Sequence, residues 1–174
     1  MLVVLCLLAA MLPASSHWFR QNGAAAAENN ESSDGAESGL PVPRFVSLGA
    51  GRVNVRTGPG DRYPIAYVYQ RHGLPVEVVQ EFELYRKVRD QDGSEGWVHK
   101  RLLSGRRTVL ITGAVRALYR DPDPKSPAVL QAESGVQARL ISAKGPWCLL
   151  ELAGLRGYIQ RQYLYGVLPD ETVE

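Results

Sequence analysis

Apolar and polar positions alternate with a period of two through most of the chain beyond Phe45, the pattern of half-buried strands rather than helices. In Pro75-Val76-Glu77-Val78-Val79-Gln80, Val76 and Val78 share one face with Gln80, while Glu77 and Val79 face the other way. Phe45–Leu48, Val53–Val55, Ala66–Tyr69, Tyr85–Arg89 and Ser94–His99 read as further strands. A second series follows: Val109–Ile111, Val115–Leu118, Ala128–Gln131, Val136–Ser142, Trp147–Leu152 and Leu155–Gln160. Glycine and proline mark the breaks. Thr57-Gly58-Pro59-Gly60-Asp61 and the proline-rich stretch from Asp121 to Pro127 are loops. Asp92-Gly93 and Ala153-Gly154 are tight turns. Lys100-Arg101-Leu102 and Arg161-Gln162-Tyr163-Leu164 read as single 3₁₀ turns, and no amphipathic helix is evident beyond residue 12. The expected class is all-β.

The two series are copies. Asn54-Val55-Arg56-Thr57-Gly58-Pro59 corresponds to Ala117-Leu118-Tyr119-Arg120-Asp121-Pro122. The strands led by Gly73 and Gly135 correspond, as do the aromatic openers Tyr85 and Trp147. Each copy closes on glycine, an aromatic and a β-branched residue: Gly96-Trp97-Val98, then Gly157-Tyr158-Ile159. Four landmarks in one order, about sixty residues apart, mark a tandem duplication. Each copy is a small barrel, and a domain of this size buries only about 60% of its unfolded surface. The link Ser104-Gly105-Arg106-Arg107 is too short for a flexible tether, so the barrels are expected to pack together.

Residues 2–12 form an uninterrupted apolar run. It falls short of the ~20 residues that span a bilayer as a helix and has the length of a secretory h-region. Cleavage is expected after Ser16 or Ala27. The segment 28–40 is polar and acidic, with almost nothing to bury, and is expected to be disordered. The chain thus divides into a signal and processing region (1–27), an acidic linker (28–40), barrel 1 (41–104), barrel 2 (105–168) and an acidic tail (169–174). The whole chain is nearly neutral, at +2. Residues 41–168 nevertheless hold every Lys and Arg but Arg20 and about eleven acids, a positive excess of roughly eight. An exported basic module meets anionic wall polymers, lipid head groups or acidic proteins; the same charge also keeps small domains soluble.

Arg52-Val53-Asn54-Val55-Arg56-Thr57-Gly58-Pro59, followed by Tyr85-Arg86-Lys87-Val88 and Gly96-Trp97-Val98, resembles the signature of bacterial SH3-like (SH3b) domains. The stretch Gly96–Arg107 is similar in particular to exported tandem SH3-like proteins of proteobacteria. The resemblance covers residues 44–168 and implies two tandem SH3-like β-barrels in the bacterial envelope, the second degenerate. It further implies a role in cell-wall targeting or protein–protein contact.

Catalytic chemistry is poorly supplied. Once the apolar run is removed with Cys6, Cys148 stands alone, inside a predicted strand, so neither a disulfide framework nor a thiolate zinc site can be built. His72 and His99 belong to the other copy and lack acidic residues at ligand-like spacing. Gly58-Pro59-Gly60 is followed by neither a helix nor Lys-Ser/Thr, so it is no phosphate loop. No enzyme activity, cofactor or metal is expected. Asn54 is expected to hydrogen-bond a neighbouring loop, and Arg56 to brace the Gly58-Pro59 turn. If Val88 is core, Tyr85 faces outward or toward the sister barrel, and Trp147 relates to Leu150 in the same way. The candidate ligand-binding residues are Tyr85, Arg86, Lys87, Arg89, Trp97, Trp147 and Tyr158, aromatic platforms with cations nearby; the alternative is that the aromatics pack the barrels and their joint. Trp97 in the closing strand would cost about 3–5 kcal/mol on truncation if fully buried. The expected function is a non-enzymatic exported module contacting peptidoglycan or an envelope protein, with an anionic membrane surface as a peripheral contact. A scaffold without polymer affinity is the alternative. Nucleic acid is not an expected partner unless the chain stays inside the cell.

Overall fold

The computed structural model describes residues 37–174; the expected signal region and the linker through residue 36 lie outside the described residues. The first barrel consists of β1 (Arg44–Leu48), β2 (Val53–Arg56), β3 (Ile65–Tyr69), β4 (Pro75–Phe82), β5 (Tyr85–Arg89), β6 (Glu95–His99), a 3₁₀ turn (Lys100–Leu102) and β7 (Leu103–Ser104). The second repeats it with β8 (Thr108–Ile111), β9 (Arg116–Tyr119), β10 (Ala128–Ala132), β11 (Gln137–Lys144), β12 (Trp147–Leu152), β13 (Leu155–Gln160), a 3₁₀ turn (Arg161–Tyr163) and β14 (Leu164–Tyr165). Each forms one antiparallel sheet, in the orders β3-β2-β6-β5-β4-β1-β7 and β10-β9-β13-β12-β11-β8-β14. These are the same order once each element is matched to its copy. The chain is all-β, with no α-helix among the described residues.

Alternation supplies each barrel with its own core. Leu48, Val53, Val55, Val76, Val78, Val88 and Val98 fill the first; Val109, Ile111, Leu118, Leu140, Cys148, Leu150 and Ile159 fill the second. The closing motif has a steric reason. A Cβ on Gly96 would stand 2.3 Å from Val55 Cγ1, and one on Gly157 would stand 2.8 Å from Leu118 Cβ. Glycine therefore lets β6 cross β2, and β13 cross β9, at close range. The aromatic that follows lies between two core-facing neighbours, so it points outward.

A bulge alters the expected alternation in β4. Val78 pairs with Val88 but Gln80 with Lys87, so Val79 is the extra residue. The phase flips there. Gln80 turns to the outer face with Lys87, and Glu81 turns inward opposite Arg86. β11 repeats the bulge at Ile141 and turns Ala143 inward opposite Cys148.

The barrels pack against each other. Ser47 Oγ lies 2.6 Å from Thr108 Oγ1, and Thr108 Oγ1 donates to Gly73 O at 2.6 Å. Arg71 donates to Gly135 O, and the Tyr165 hydroxyl donates to Arg89 O. The Phe45 and Tyr165 rings meet edge to face at 5.1 Å.

The segment leading into β1 and the C-terminal residues each dock onto a barrel. Ser38 N and Oγ reach the Glu81 carboxylate at 2.8 and 2.7 Å. In the second barrel Val173 exchanges both backbone hydrogen bonds with Ala143, and Arg107 grips Glu171 with both terminal guanidinium nitrogens. The residues 169–174 are thus a strap across the second barrel rather than a loose acidic tail.

Candidate functional site

The outer face of β2, β5 and β6 gathers most of the candidate residues of the first barrel. Trp97 is the cross-strand partner of both Arg56 and Lys87, and Tyr85 is that of His99. Trp97 is half-buried, so the full-burial condition on its truncation cost is not met. Its position between Gly96 and Val98, both core-facing, accounts for this. Lys87 Nζ lies 2.6 Å from Glu95, and Arg89 reaches Glu95 and Glu77 at 2.8 and 3.4 Å. These exposed pairs hold the side chains in place more than they stabilise the fold.

Tyr85 and Arg86 require correction as surface ligand contacts. Val88 is core, and Tyr85 does lie on the opposite face, yet it is only 7% exposed. The loop after β2 folds back so that Asp61 accepts the Tyr85 hydroxyl at 2.8 Å, and His99 packs edge-on at 5.2 Å. Arg86 points to the inner face, 5% exposed, with Nε 3.0 Å from Glu81. Arg44 reaches the same carboxylate at 2.5 Å. Burial works against ionised Glu81, but the hydrogen bonds from Ser38 and the charge of Arg44 outweigh it and hold the carboxyl at about 2.

Arg56 braces the loop as expected. Its guanidinium donates to Asp61 O, Tyr63 O and Asp61 Oδ1, and the loop closes with Thr57 N on Pro64 O. Gly58 admits the Tyr63 ring, since a Cβ there would meet ring carbons at 2.4 Å. Asn54 plays no part in this brace. Its side chain has no hydrogen-bond partner among the described residues, because it lies outward between Val53 and Val55. It lines a pocket of about 350 Å³ with Arg56, Asp61, Tyr85, His99, Arg101 and Leu102.

The second barrel has a pocket of about 320 Å³ at the equivalent place, with Ala117, Tyr119, Gln160 and Tyr163 standing where the first has Asn54, Arg56, His99 and Leu102. Arg116 lies over the Tyr163 ring at 3.8 Å. On the outer face Trp147 meets Tyr119 edge-on at 6.2 Å, and Tyr158 pairs with Tyr119 and Leu149. Trp147 and Tyr158 are therefore brought together by Tyr119 and Leu149, which reading the sequence missed. The signal was present: both take outward positions by alternation, matching Arg56 and Lys87 of the first copy. A cavity of about 790 Å³ lies between the second 3₁₀ turn and the strap. Its Arg161 is already engaged with Gly145 O and Leu168 O.

No group of His, Cys, Asp and Glu among the described residues is arranged to hold a metal ion. Cys148 is fully buried, and burial pushes its thiol up to about 11, which opposes a nucleophilic thiolate at neutral pH.

Two small antiparallel barrels of identical strand order, each closing on glycine and an aromatic, define a tandem of small β-barrel modules. The bacterial SH3 domain family model matches residues 49–105 and 113–166, and the chain belongs to that family. Bacterial SH3 domains are binding modules. No curated protein matches the chain. Among solved structures it is similar to NlpC2 from Trichomonas vaginalis, at 14% identity and TM-score 0.33, covering 71% of this chain and 48% of that one. It is also similar to NlpC1 from the same organism, at 16% identity and TM-score 0.34, covering 75% and 48%. The chain thus spans about half the length of each.

Proposed function

We propose that the protein is a non-enzymatic, exported binding module of the bacterial envelope, contacting peptidoglycan or an envelope protein. One observation carries the reading: the outer face of the first barrel sets half-buried Trp97 between Arg56 and Lys87, beside a pocket lined by His99 and Arg101. An aromatic flanked by cations suits the sugars and carboxylates of a wall polymer. The apolar run at residues 2–12 supports export, and the charge excess of the folded region supports an anionic partner, an anionic membrane surface being a peripheral contact. A scaffold reading is favoured by a different observation, the face of Tyr119, Trp147, Leu149 and Tyr158 on the second barrel, which is aromatic and apolar where the first is charged.

Retention on purified sacculi across salt concentrations tests the first reading. The Debye length falls from about 10 Å at 0.1 M to about 3 Å at 1 M, so high salt should release the protein. Lys87→Glu with Trp97→Ala should release it at low salt. Charge reversal at Arg86 is unsuited to this test, because it would place a second carboxylate against buried Glu81. If neither sacculi nor anionic vesicles retain the protein at low salt, polymer binding is wrong and the scaffold reading stands. Amino-terminal sequencing of protein from an envelope fraction tests export. An intact Met1 on cytoplasmic protein overturns it.

A further inference from the structure

A second polar pocket of the first barrel, about 370 Å³, opens where the loop before β4, the 3₁₀ turn and the inter-barrel link converge. His72, Arg101, Ser104 and Arg106 line it, and no acidic residue does. Eight other basic side chains of the described residues, among them Arg44, Arg56, Lys87 and Arg107, sit within an ion pair. The side chains of Arg101, Arg106 and His72 have neither a carboxylate nor a hydrogen-bond acceptor among the described residues. Ser104 Oγ accepts from Arg106 N, which leaves its hydroxyl hydrogen available to donate. Four side chains able to donate thus line one concavity with no carboxylate among them.

The fold does not require these charges. Gly73 and Gly135 are equivalent, each donating to the end of the first strand of its barrel at 2.8 Å, which sets Ser134 against His72. The pairings of β7 and β14 set Tyr165 against Ser104, and chain order then sets Gln162 against Arg101 and Val167 against Arg106. The same backbone is therefore built in the second barrel with no charged residue at any of the four positions. Placing two like charges on the wall of one pocket contributes nothing favourable to folding, and the second barrel shows that a neutral set serves the same architecture.

We infer that this pocket is an oxyanion-binding site, taking a carboxylate or phosphate group. It deepens the envelope-binding reading by naming the chemistry recognised at the joint. Arg101 lines both this pocket and the one beside Tyr85 and His99, so the two sites share a cation. Guanidinium groups give such an anion paired, charge-assisted hydrogen bonds.

The test is amide-shift titration of the whole chain at low salt with inorganic phosphate and, separately, with acetyl-D-alanyl-D-alanine as a free peptide carboxylate. Saturable shifts centred on Gly73, Arg101 and Arg106 are expected with at least one of them. Arg101→Gln with Arg106→Val installs the residues of the sister barrel, so it should keep the melting temperature and weaken binding about tenfold or more, the loss expected of charged hydrogen bonds. Arg120→Glu with Lys125→Glu, exposed on the second barrel, should leave binding unchanged. Which anion saturates identifies the source. No shift with either anion, or equal weakening by the second-barrel control, overturns the site. Retention on sacculi that survives Arg101→Gln/Arg106→Val would leave the envelope reading standing without this site. Anion binding with no sacculus retention would do the reverse.

Discussion

Where the first barrel holds Glu81 opposite Arg86, the second holds Ala143 opposite Cys148. The backbone is the same at both places, down to the bulge that turns these residues inward. The chemistry that closes the barrel end differs. In the first, Glu81 gathers Arg44, Arg86 and the incoming Ser38. In the second, small neutral side chains leave room for the strap, and Arg107, the counterpart of Arg44, takes its carboxylate from Glu171. An arginine at the entry to the first strand is paired with an acid in either copy. It is supplied from within the sheet in one and from the chain terminus in the other. A buried charge cluster is no more stabilising than an apolar pair of similar volume, but removing one partner from it is costly. The comparison teaches that duplicated barrels can exchange polar for apolar closure at constant fold.

Breaking the charged closure should have the largest effect. Glu81→Ala strands two arginines and should cost about 3–5 kcal/mol in denaturant unfolding. Adding Arg86→Cys, which reproduces the pair of the second barrel, should recover at least half of that. A cost below ~1 kcal/mol for the single change would show that the cluster is solvated. The pH dependence sharpens the point. The Glu81 carboxyl titrates at about 2 when folded, below its ordinary 4.5, so its contribution is complete above 4.5 and is lost as pH falls through about 2. The gap between wild type and Glu81→Ala should narrow across that window.

The strap is next in size. Glu171→Ala should cost about 2 kcal/mol, the scale of a charge-assisted hydrogen-bonded pair. It should also speed thiol labelling of Cys148, which lies beneath, whereas the wild-type thiol should react slowly at pH 8. Labelling unchanged by the substitution would mean that the strap does not shield it. Trp97→Ala should cost about 1–2 kcal/mol, less than for a core indole because only part of its apolar area is covered. A loss above ~3 kcal/mol would show that it is core after all. Lys87→Ala, which removes a surface pair with Glu95, should change stability by no more than about 1 kcal/mol. Its effect should appear in salt-dependent retention on sacculi instead.

Much of the architecture is legible in the chain because it depends on local periodicity. Period-two alternation marks strands, Gly-Pro clusters mark loops, and repeated landmarks mark two barrels. The outward position of Trp97 and Tyr158 follows from the same alternation. Arg86 shows what composition conceals: a run of cations beside Tyr85 suggests a charged surface, whereas the phase puts Arg86 on the side of Val88. Tyr85 escapes the sequence for another reason. Alternation names the face but not what covers it, and here a loop some twenty residues earlier does.

Six of the seven strands of each barrel, the duplication and the turns are legible in the chain, because neighbours along it set them; the short closing strands β7 and β14, and the close crossings at Gly96 and Gly157, are contacts between distant segments. Long-range contacts decide that the bulge at Val79 sends Glu81 inward, that Ser38 and Glu171 close the equivalent ends of the two barrels, and that His72, Arg101, Ser104 and Arg106 share one pocket. A bulge becomes visible only when a second strand provides the register. A carboxylate finds its arginine through space, and so does a pocket its walls. Such long-range pairings leave no period in the chain.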